Sequence, residues 1–366
     1  MSAAVATETR PERLSGGELP VRIGVIAGDG TGPEVVGEAL RVLDVFRDEL
    51  KVDLVEFDLG AERYLRTGEV LPDEELARLA GCDAILLGAV GDPRVPPGVL
   101  ERDLLLKVRF ELDQYVNLRP IVRYPGVTTL LAHHHEDDVD LVVVRENSEG
   151  LYSGAGGFHR KGTAHEVAVQ ESINTRHGVE RVVRYAFELA MRPERRRKVT
   201  LVHKTNVLTY AGDLYQRVVD EVGHALPDVE TDYVHVDAAC LYLIEDPSRF
   251  DVIVTDNMFG DIVTDVGAVI QGGIGIAAGG NINPHGVSMF EPIGGTAPSE
   301  VGKGTINPLA AIGALMMLLR EVGQDPAADR VERGIRVAVS KMATMRAGMM
   351  GFTTSEVGDL VVEAAS

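Results

Sequence analysis

The sequence predicts an α/β protein with a largely parallel β-sheet. Short apolar runs of strand length recur along the chain, amphipathic segments with helical spacing lie between several of them, and glycine- or proline-containing turns separate the two. Strands that alternate with helices favour parallel pairing, because a parallel connection needs a crossover that returns to the same end of the sheet. A chain of 366 residues is long enough for one large domain or two of ordinary size.

The amino-terminal part of the chain is predicted to begin with a strand, a glycine-rich turn and a helix. Val21–Ala27 is an apolar run of strand length, and GDGTG follows at Gly28–Gly32. Pro33 then begins an amphipathic helix, at the first-turn position that proline favours. The next predicted elements are strands at Val52–Phe57 and Ala84–Gly88 and a helix at Asp73–Leu79.

The remaining elements continue the alternation. Gly294–Asn307 is rich in glycine and is predicted to be a loop. Pro308–Val322 is an apolar helix whose Met and Leu stripe is typical of a core or a subunit interface. Further predicted strands are Leu141–Arg145, Glu166–Ser172, Lys198–His203 and Phe250–Val254, and a further helix is His177–Met191.

Composition and charge exclude several classes of function. The chain has 45% hydrophobic and 25% charged residues, as soluble globular proteins do. No apolar run is long enough to span a bilayer. The net charge of −20 argues against a nucleic-acid partner and against an anionic membrane surface. The same charge repels an anionic substrate at long range, so a site for one requires a local cluster of arginines.

The chain is expected to reside in a reducing cytoplasm. Met1–Pro20 lacks the apolar segment of a secretory signal, and residues 1–18 are expected to form a disordered tail. Cys82 and Cys240 supply neither a disulfide framework nor the spacing of a zinc site, so both are expected to be core residues.

An acidic segment, TDNMFGDIVTD at Thr255–Asp265, is the strongest candidate for a metal site. It places Asp256, Asp261 and Asp265 within three helical turns, with Asp261 and Asp265 on one helical face. Two like charges side by side are best tolerated with a cation between them, and carboxylates suit Mg²⁺ or Mn²⁺. The alternative is a solvated acidic face, which does not need the mixture of Asn, Phe and Gly in the same turn.

Three arginines are candidates for binding a di-acid. Arg109 ends the helical run LLLKVR, Arg119 lies where Pro120 is expected to stop regular structure, and Arg145 follows the apolar strand LVVV. A planar guanidinium suits carboxylates, and the carboxyl end of a parallel strand faces the usual ligand crevice. Each arginine taken alone also fits an ordinary surface salt bridge.

Three further polar residues lie at or near predicted strand ends. Tyr152 is the last residue of RENSEGLY. Lys204 closes a predicted strand in LVHKTN, and Asp237 ends the predicted strand YVHVD. A lysine and a tyrosine beside a metal exchange protons if their pKa values are lowered, and Asp237 is a third carboxylate ligand. The alternative for each is an exposed, solvated side chain. His133–His135 is interpreted as a polar surface turn rather than a metal site.

The GDGTG turn leaves two interpretations open. A glycine-rich turn between a strand and a helix suggests a cradle for phosphate. The spacing is G-x-G-x-G, however, and a Rossmann site has G-x-G-x-x-G, so this turn alone does not establish a dinucleotide site.

Seven motifs in this order resemble the β-decarboxylating dehydrogenases, which act on 3-isopropylmalate, isocitrate, homoisocitrate and tartrate or D-malate. The motifs are GDGTGPE, DQYVNLRP, VVRENSEGLY, VHKTN, DNMFGDIVTD, GNINPHG and GTAPSEVGKGTINP. The resemblance extends from about Val21 to the carboxyl terminus. It implies an isocitrate/isopropylmalate dehydrogenase-like two-domain fold that is not a Rossmann fold. Residues 19–113 and 272–366 form the larger α/β domain with the cofactor loop, and residues 114–271 form an inserted domain for dimerisation and substrate binding.

The same resemblance assigns roles to individual residues. Arg109, Arg119 and Arg145 bind the carboxylates of the malate, and Lys204 is the general base. Tyr152 protonates the enol. The metal, Mg²⁺ or Mn²⁺, is held by Asp261 and Asp265, with Asp237 and Lys204 supplied by the second chain of a homodimer. The expected contacts of the cofactor are Thr31, Asn206, Gly294, Gly295, Thr296, Ala297, Glu300 and Asn307.

The cofactor loop departs from the family pattern. NAD-dependent members usually read H-G-S-A-P-D where this chain has GGTAPS at Gly294–Ser299. Ser299 replaces the aspartate that holds the adenosine ribose, and we predict that Glu300 takes that role. No Lys–Tyr pair is present to hold a 2′-phosphate, and Glu300 repels one, so NAD is predicted over NADP.

The helix that selects the substrate, RDLLLKVR, gives a mixed prediction. Leu105 and Leu106 fall where isopropylmalate enzymes hold the alkyl group, whereas Arg102 replaces their glutamate and resembles the tricarboxylate users. The resemblance therefore implies oxidative decarboxylation of a 3-substituted (R)-malate, with 3-isopropylmalate of leucine biosynthesis as the expected substrate. The alternatives are a D-malate/tartrate or homoisocitrate activity, and a catalytically silent paralogue that binds a ligand.

Overall fold

The computed structural model describes residues 20–129, 131 and 138–366. It divides into two compact units, Met1–Gln114 with Ile274–Ser366, and Tyr115–Gly273. The predicted inserted segment, 114–271, starts one residue before the second unit and ends two residues before its end. The predicted tail at 1–18 and the histidine tract His133–His135 lie outside the described residues.

The first unit contains five strands that are mostly parallel. Their bounds are β1 Val21–Gly28, β2 Val52–Glu56, β3 Ala84–Ala89, β11 Ala278–Ile282 and β12 Ser288–Pro292. The spatial order is β2-β1-β3-β12-β11, and only the β11–β12 pair is antiparallel. β3 is buried along its whole length, as a central strand covered on both faces must be.

Helices of the first unit come from both ends of the chain. They are α1 Gly32–Asp44, α2 Ala61–Thr67, α3 Asp73–Ala80, α4 Lys107–Glu111, α9 Leu309–Glu321, α10 Asp325–Lys341 and α11 Thr354–Ala365. A π-helical turn, Glu101–Leu106, leads directly into α4. α9 is buried on nearly every side, so the apolar stripe predicted around Met316 and Met317 is largely a core feature.

The second unit contains five neighbouring strands of the sheet and a separate two-stranded ribbon. The sheet contains β4 Val116–Val122, β5 Asp140–Glu146, β8 Lys198–His203, β9 Glu230–His235 and β10 Val252–Thr255. Its order is β4-β5-β10-β8-β9, with β4–β5 antiparallel and the other pairs parallel. The ribbon pairs β6 Gly156–His159 with β7 Val167–Gln170 in antiparallel register, and both strands are exposed.

Four helices complete the second unit. They are α5 Arg176–Ala190, α6 Ala211–Ala225, α7 Val236–Glu245 and α8 Asn257–Ile270. The core between these helices and the sheet is built from valine, leucine and isoleucine of β5, β8 and β10 and from apolar residues of α7 and α8.

The prediction of an α/β chain with a largely parallel sheet is confirmed, and two local expectations are wrong. Pro120 does not stop regular structure, because it lies inside β4 opposite Val142. The fixed φ of proline falls within the extended region, so a strand can continue through it. Asp237 does not end a strand either. β9 ends at His235, and Asp237 lies in the first turn of α7.

Candidate active site

Three neighbouring parallel strands of the second unit end at the same edge of the sheet. Thr255 of β10 is in register with Arg145 of β5 and with Val202 of β8. Lys204 directly follows β8, and Asp256 directly follows β10. The topology therefore brings the polar residues that the sequence places at strand ends to one edge, where α/β sheets usually bind ligands.

Arg145, Asp261 and Tyr152 form one hydrogen-bonded cluster. Arg145 is 2% exposed, and its Nη1 donates to Asp261 Oδ1 at 2.6 Å. Its Nε and Nη2 donate to Asn257 Oδ1 at 3.1 and 2.8 Å. Tyr152 Oη donates to the second oxygen of Asp261 at 2.9 Å. The structure thus unites a predicted substrate ligand, a predicted metal ligand and the predicted proton donor.

Burial and Asp261 together keep the Tyr152 hydroxyl protonated. Desolvation is the larger cause of its raised pKa, and the hydrogen bond and negative charge of Asp261 act in the same direction. A phenol that holds its proton near an arginine is suited to donate that proton to a carbanion. The Arg145 guanidinium also lies 5.3 Å from the centre of the Tyr152 ring.

Gly260 allows α8 to approach Arg145. A Cβ at this position would lie 2.4 Å from Cγ of Arg145, so a larger side chain would displace the guanidinium from Asp261. The glycine in the sequence NMFGD is therefore required by the site.

Asp256 caps α8 and is not grouped with the other two aspartates. Its Oδ1 accepts the backbone N–H of Phe259 at 2.7 Å, as an N-cap aspartate does. Asp261 and Asp265 lie one turn apart on the helix, the first half-buried and the second exposed. The prediction that these two share a face is geometrically sound, because both project from the same side of α8.

Lys204 and Asp237 form a second polar group in this unit. Lys204 Nζ donates to Asp237 Oδ1 at 2.6 Å, and this hydrogen bond is the main cause of a lowered pKa of Asp237. Asp237 is 69% exposed at its side chain. Within the described part of a single chain, no three acidic, histidine or cysteine residues converge into a metal site. Asp237 therefore does not join Asp261 and Asp265 within one chain.

The donor set fits a hard divalent cation. Asp237, Asp261 and Asp265 offer carboxylate oxygens only, and each is partly or largely exposed. Oxygen ligands of this kind suit Mg²⁺ and Mn²⁺. Both oxygens of Asp261 accept hydrogen bonds from Arg145 and Tyr152, so a bound cation would compete with these donors.

The other two arginines have different surroundings. Arg109 lies on α4 in the first unit and donates to Glu291 Oε1 at 3.0 Å. Glu291 also accepts from Asn281 at 2.9 Å, and its pairing with Arg109 is absent from the sequence prediction. The sequence feature that could have pointed to this pair is Glu291 itself, an acidic residue near the end of the strand SMFEP. Arg119 lies on β4 in the second unit, is buried, and donates to Asn117 Oδ1 at 2.5 Å.

The predicted substrate-selecting residues lie in the π-helical turn of the first unit. Arg102 is exposed and pairs with Asp103 through a 2.7 Å contact. Leu105 is half-buried and packs against the core of this unit, which also contains the buried Leu104. Leu106 is half-buried without belonging to that core. π-Helical turns are frequent at functional sites.

The GDGTG turn contacts the cofactor loop. Thr31 donates from its N–H and its Oγ1 to the Thr296 carbonyl at 3.0 and 3.2 Å. Asp29 is buried and accepts the N–H groups of Ala61 and Gly91. A Cβ on Gly30 would lie 2.3 Å from the Thr296 carbonyl oxygen. Because these groups are used inside the chain, the turn holds the loop, and the phosphate-cradle interpretation is not supported.

Glu300 is held by its own loop. Its carboxylate accepts from Ser299 Oγ at 3.2 Å, Lys303 Nζ at 3.4 Å and Thr305 Oγ1 at 3.2 Å. Partial burial opposes its charge, but the hydrogen bonds from Lys303, Ser299 and Thr305 lower its pKa overall. Ser299, which replaces the expected aspartate, is thus a donor to the neighbouring carboxylate.

The remaining predicted cofactor contacts differ in their exposure. Asn307 is buried and donates to the Met345 carbonyl at 3.1 Å, while its Oδ1 accepts from the Leu309 N–H at 3.0 Å. Its side chain therefore holds the loop in place. Asn206 is exposed, and Gly294, Gly295 and Thr296 are accessible. Ala297 has a φ of +39°, a strained conformation that occurs preferentially in functional loops.

A buried acid and a buried histidine lie behind the site. Asp256 Oδ2 is 3.5 Å from Nε2 of His203, which is fully buried and packs on Tyr215 and Phe259. Burial raises the pKa of Asp256 to about 6 and lowers the pKa of His203 to about 4. Neither shift was foreseen from the sequence.

Replacing Asp256 with asparagine is expected to stabilise the protein at neutral pH only. The raised pKa means that the native state binds a proton between pH 3.8 and about 6 that the unfolded chain has released. The free energy of unfolding of the wild type therefore falls as pH rises through this window. Asparagine keeps the capping acceptor and carries no charge, so D256N should gain about 3 kcal/mol at pH 7.5.

Urea unfolding at about pH 7.5 and pH 4 checks this expectation. The gain should fall below about 1 kcal/mol at the lower pH, where Asp256 is protonated in the native state and about half protonated in the unfolded chain, and the contribution of His203 is common to both proteins. D213N, which alters an exposed ion-paired aspartate on α6, is the control. Equal stability of D256N and wild type at pH 7.5 would contradict the buried-charge argument.

Comparisons with known proteins cover nearly the whole chain. The family model described as isocitrate/isopropylmalate dehydrogenase matches residues 22–361. A 3-isopropylmalate dehydrogenase of Frankia casuarinae is 56% identical over 348 residues, covering 94% of this chain and 100% of that protein. One from Corynebacterium glutamicum is 54% identical over 347 residues, covering 94% and 99%. The crystal structure of isocitrate dehydrogenase from Methylococcus capsulatus superposes with a TM-score of 0.85 at 34% identity, covering 94% and 99%. The described residues include no helix long and apolar enough to cross a membrane.

Proposed function

The chain belongs to the isocitrate/isopropylmalate dehydrogenase family, and we propose that it oxidises and decarboxylates 3-isopropylmalate with NAD as the acceptor. The observation that carries the chemistry is the Arg145–Asp261–Tyr152 cluster, in which an anion-binding group, a carboxylate and a protonated phenol meet. The curated relatives named 3-isopropylmalate dehydrogenase support the substrate. The proposed reaction belongs to leucine biosynthesis.

The residues of the chain account for binding and for both proton transfers. Arg109, Arg119 and Arg145 bind the two carboxylates of the malate, because guanidinium forks pair with carboxylates. Lys204 Nζ takes the proton of the 2-hydroxyl as C2 is oxidised. The 3-carboxylate then leaves as CO₂, and Tyr152 Oη delivers a proton to C3 of the resulting enol.

A cation and a dinucleotide complete the proposed site. When bound, NAD accepts the hydride from C2, and Mg²⁺ or Mn²⁺ stabilises negative charge on the adjacent oxygen. Asp237, Asp261 and Asp265 would hold the cation. Thr296, Glu300 and the neighbouring glycines would hold the adenosine half of NAD, with Asn206 near the nicotinamide.

Substrate choice is tested by NADH formation with Mn²⁺ across 3-isopropylmalate, D-malate, tartrate, isocitrate and homoisocitrate. The proposal expects kcat/KM for 3-isopropylmalate to be at least ~10-fold above the others, the effect of a few buried methylene groups. A preference for D-malate, tartrate or a tricarboxylate would overturn the substrate and assign specificity to the exposed Arg102. Binding of Mn²⁺ without turnover of any substrate would indicate a silent paralogue.

Glu300 is proposed to select NAD by accepting hydrogen bonds from the adenosine ribose and repelling a 2′-phosphate. Replacing Glu300 with lysine should raise the KM for NAD about 10-fold and improve kcat/KM for NADP, since one ribose hydrogen bond to a charged group is worth about 1.5 kcal/mol. The measurement is the KM for each dinucleotide at saturating substrate.

A control variant distinguishes the effect of the Glu300 charge on cofactor preference from the effect of a neighbouring charge in the same loop. Replacing Lys303 with methionine removes the neighbouring cation but leaves the carboxylate, and should leave NAD preferred. An unchanged KM for NAD in E300K would contradict the proposed contact between Glu300 and the adenosine ribose.

A second copy of this chain is the proposed partner. α7 and α8 leave apolar side chains exposed at helical spacing, Leu241 with Ile244 and Met258 with Ile262, and the ribbon exposes Phe158, Val167 and Val169. Faces of this kind mark protein interfaces. In the proposed homodimer each active site takes Lys204 and Asp237 from the second copy, in agreement with the absence of a three-carboxylate site in the described part of one chain.

Mixing two inactive variants tests the shared site. K204M and R109Q should regain roughly a quarter of wild-type activity after subunit exchange, because half the dimers are mixed and one of their two sites is intact. K204M mixed with D237N is the matched control. Both of those residues come from the same copy, so every site remains defective. If mass spectrometry shows mixed dimers of K204M and R109Q but no activity returns, the result would contradict an active site that is shared between the two chains.

A further inference from the structure

The backbone around Lys204 is held by one hydroxyl group. Tyr233 lies on β9, next to β8, whose last residue precedes Lys204. Tyr233 Oη accepts the N–H of Thr205 at 3.0 Å and the Oγ1–H of Thr205 at 2.9 Å. It also lies 3.4 Å from the carbonyl oxygen of His203. The hydroxyl thus contacts both peptide groups that flank Lys204.

Counting donors and acceptors assigns the proton of this hydroxyl. A phenol oxygen has two lone pairs and one proton, and the two Thr205 donors fill the lone pairs. Its proton then points to Nδ1 of His235, which is 2.8 Å away and nearer than the His203 carbonyl. Nδ1 is therefore the acceptor, which assigns the proton of the imidazole to Nε2. The two rings also pack edge to face at 5.2 Å.

The opposite side of the turn is closed by a glycine. A Cβ on Gly212, in α6, would lie 2.7 Å from Cα of Thr205, so the turn is packed between α6 and Tyr233. Lys204 extends from this turn to its 2.6 Å contact with Asp237, two residues after His235. The hydrogen bonds of Tyr233 therefore hold the backbone from which the Lys204 side chain extends. The same network lies next in sequence to Asp237, which accepts from the ammonium group of Lys204.

We propose that Tyr233, oriented by His235, is a positioning residue for Lys204. Its hydroxyl holds the peptide group that follows the lysine, and so fixes where Nζ lies in the reaction. This inference rests on the proposed function, in which Lys204 is the general base. Tyr233 touches neither substrate nor cofactor in this account, and it acts through Lys204 alone.

The principal variant is Y233F, which removes only the oxygen and keeps the ring that packs on His235. Misplacing a proton-transferring group by a fraction of an ångström lowers the rate and leaves substrate binding intact. Y233F is therefore expected to lower kcat about 10- to 100-fold, with KM for substrate and NAD changed less than about 2-fold. Y242F is the matched control, because it removes a tyrosine hydroxyl from α7 of the same unit and should keep wild-type kcat.

A double-mutant cycle separates an effect through Lys204 from a general structural effect. K204A is measured with a small primary amine in the buffer, which supplies a free base. Y233F should have no further effect on this amine-supported rate if it acts through Lys204. An equal loss in both backgrounds would overturn the positioning role. If K204A alone keeps the wild-type rate, the general-base assignment in the proposed function fails instead.

A readout independent of turnover uses the reactivity of the amine. Acetylation of Lys204 by an N-hydroxysuccinimide ester, measured by peptide mass spectrometry, should become at least about 3-fold faster in Y233F, because the lysine is no longer held at Asp237. Lys198, which begins the strand before Lys204 and pairs with Glu230, is the internal control and should not change. Unchanged labelling of Lys204 together with unchanged kcat would overturn the inference.

Thr205 provides a second pair of variants that does not alter the aromatic ring. Thr205→Val removes the Oγ1 donor at nearly constant volume, whereas Thr205→Ser keeps that donor. The proposal expects the larger fall in kcat and the larger rise in Lys204 labelling for T205V. An effect of equal size in both variants would show that packing, and not the hydrogen bond to Tyr233, is responsible.

Discussion

Replacing Lys204 with methionine is expected to lower kcat by about 10³-fold, the usual contribution of a positioned general base. Methionine has nearly the length and volume of lysine, so the turn after β8 should be retained. The loss should fall on kcat and not on the KM for NAD, because the role proposed for Lys204 is to move a proton and not to bind the dinucleotide. Steady-state rates with 3-isopropylmalate and Mn²⁺ check this expectation.

The matched control for this loss is Lys198→Met, at the start of the strand that precedes Lys204. Lys198 pairs with Glu230 and Asp232 at the surface, and surface pairs contribute little. Wild-type kcat in K198M together with a 10³-fold loss in K204M would support the base. A K204M enzyme within 10-fold of wild type would remove Lys204 from the chemistry and leave Tyr152 as the only proton-transferring residue assigned.

The substitution Asp261→Asn is expected to abolish both turnover and the response of the protein to Mn²⁺. The amide oxygen of asparagine still accepts from Arg145, and its NH₂ group takes the place of the oxygen beside the Tyr152 hydroxyl, where it donates instead of accepting. The negative charge that attracts the cation is lost, and we expect activity to fall at least about 100-fold. The melting temperature of the wild type should rise with added Mn²⁺, since a ligand that binds only the native state stabilises it.

Thermal melts with and without Mn²⁺ separate the metal role from a general defect. D261N should melt near the wild-type temperature without metal and show no rise when Mn²⁺ is added. D213N, on an exposed surface of the same unit, should keep the full rise. A normal Mn²⁺ response in D261N would show that Asp261 serves the arginine and the tyrosine and does not bind the cation.

The proposed chemistry of Tyr152 is consistent with the surroundings that the structure gives it. Its hydroxyl is already hydrogen-bonded to Asp261 at 2.9 Å, and the raised pKa keeps the proton on oxygen. Asp261 would also be one of the residues that hold the cation, so the acceptor of the Tyr152 hydroxyl and a proposed metal ligand are the same carboxylate. The same carboxylate is thus proposed to serve the metal and the acid, so these two functions are expected to be lost together in D261N.

The sequence was sufficient for several parts of this description. Alternating apolar runs and amphipathic segments predicted the strands and helices to within a few residues at elements such as β8, Lys198–His203, and α5, Arg176–Ala190. These predictions work because periodicity and turn residues act over a few neighbours. Motif order identified the family for the same reason, since Lys204, Tyr152 and Asp261 each lie in a short conspicuous segment.

The tertiary structure decided which side chains meet. The Thr31 hydroxyl bonds to Thr296 across 265 residues of sequence, and Arg109 to Glu291 across 182. No local pattern encodes such partners, because they depend on which strands become neighbours. Asp256 illustrates the limit: it lies in the same acidic segment as Asp261, yet it caps α8 and is buried beside His203.

The sequence by itself determined the fold class, the family and the residue types available for chemistry. Only the tertiary structure decided that Arg145, Asp261 and Tyr152 form one cluster, that Asp237 lies in the first turn of a helix next to Lys204, and that Tyr233 holds the peptide group that follows this lysine. The physical reason is the distance along the chain over which each effect acts. Helix and strand propensities and turn chemistry are set by neighbours along the chain, whereas hydrogen-bond partners, burial and the resulting pKa shifts are set by neighbours in space.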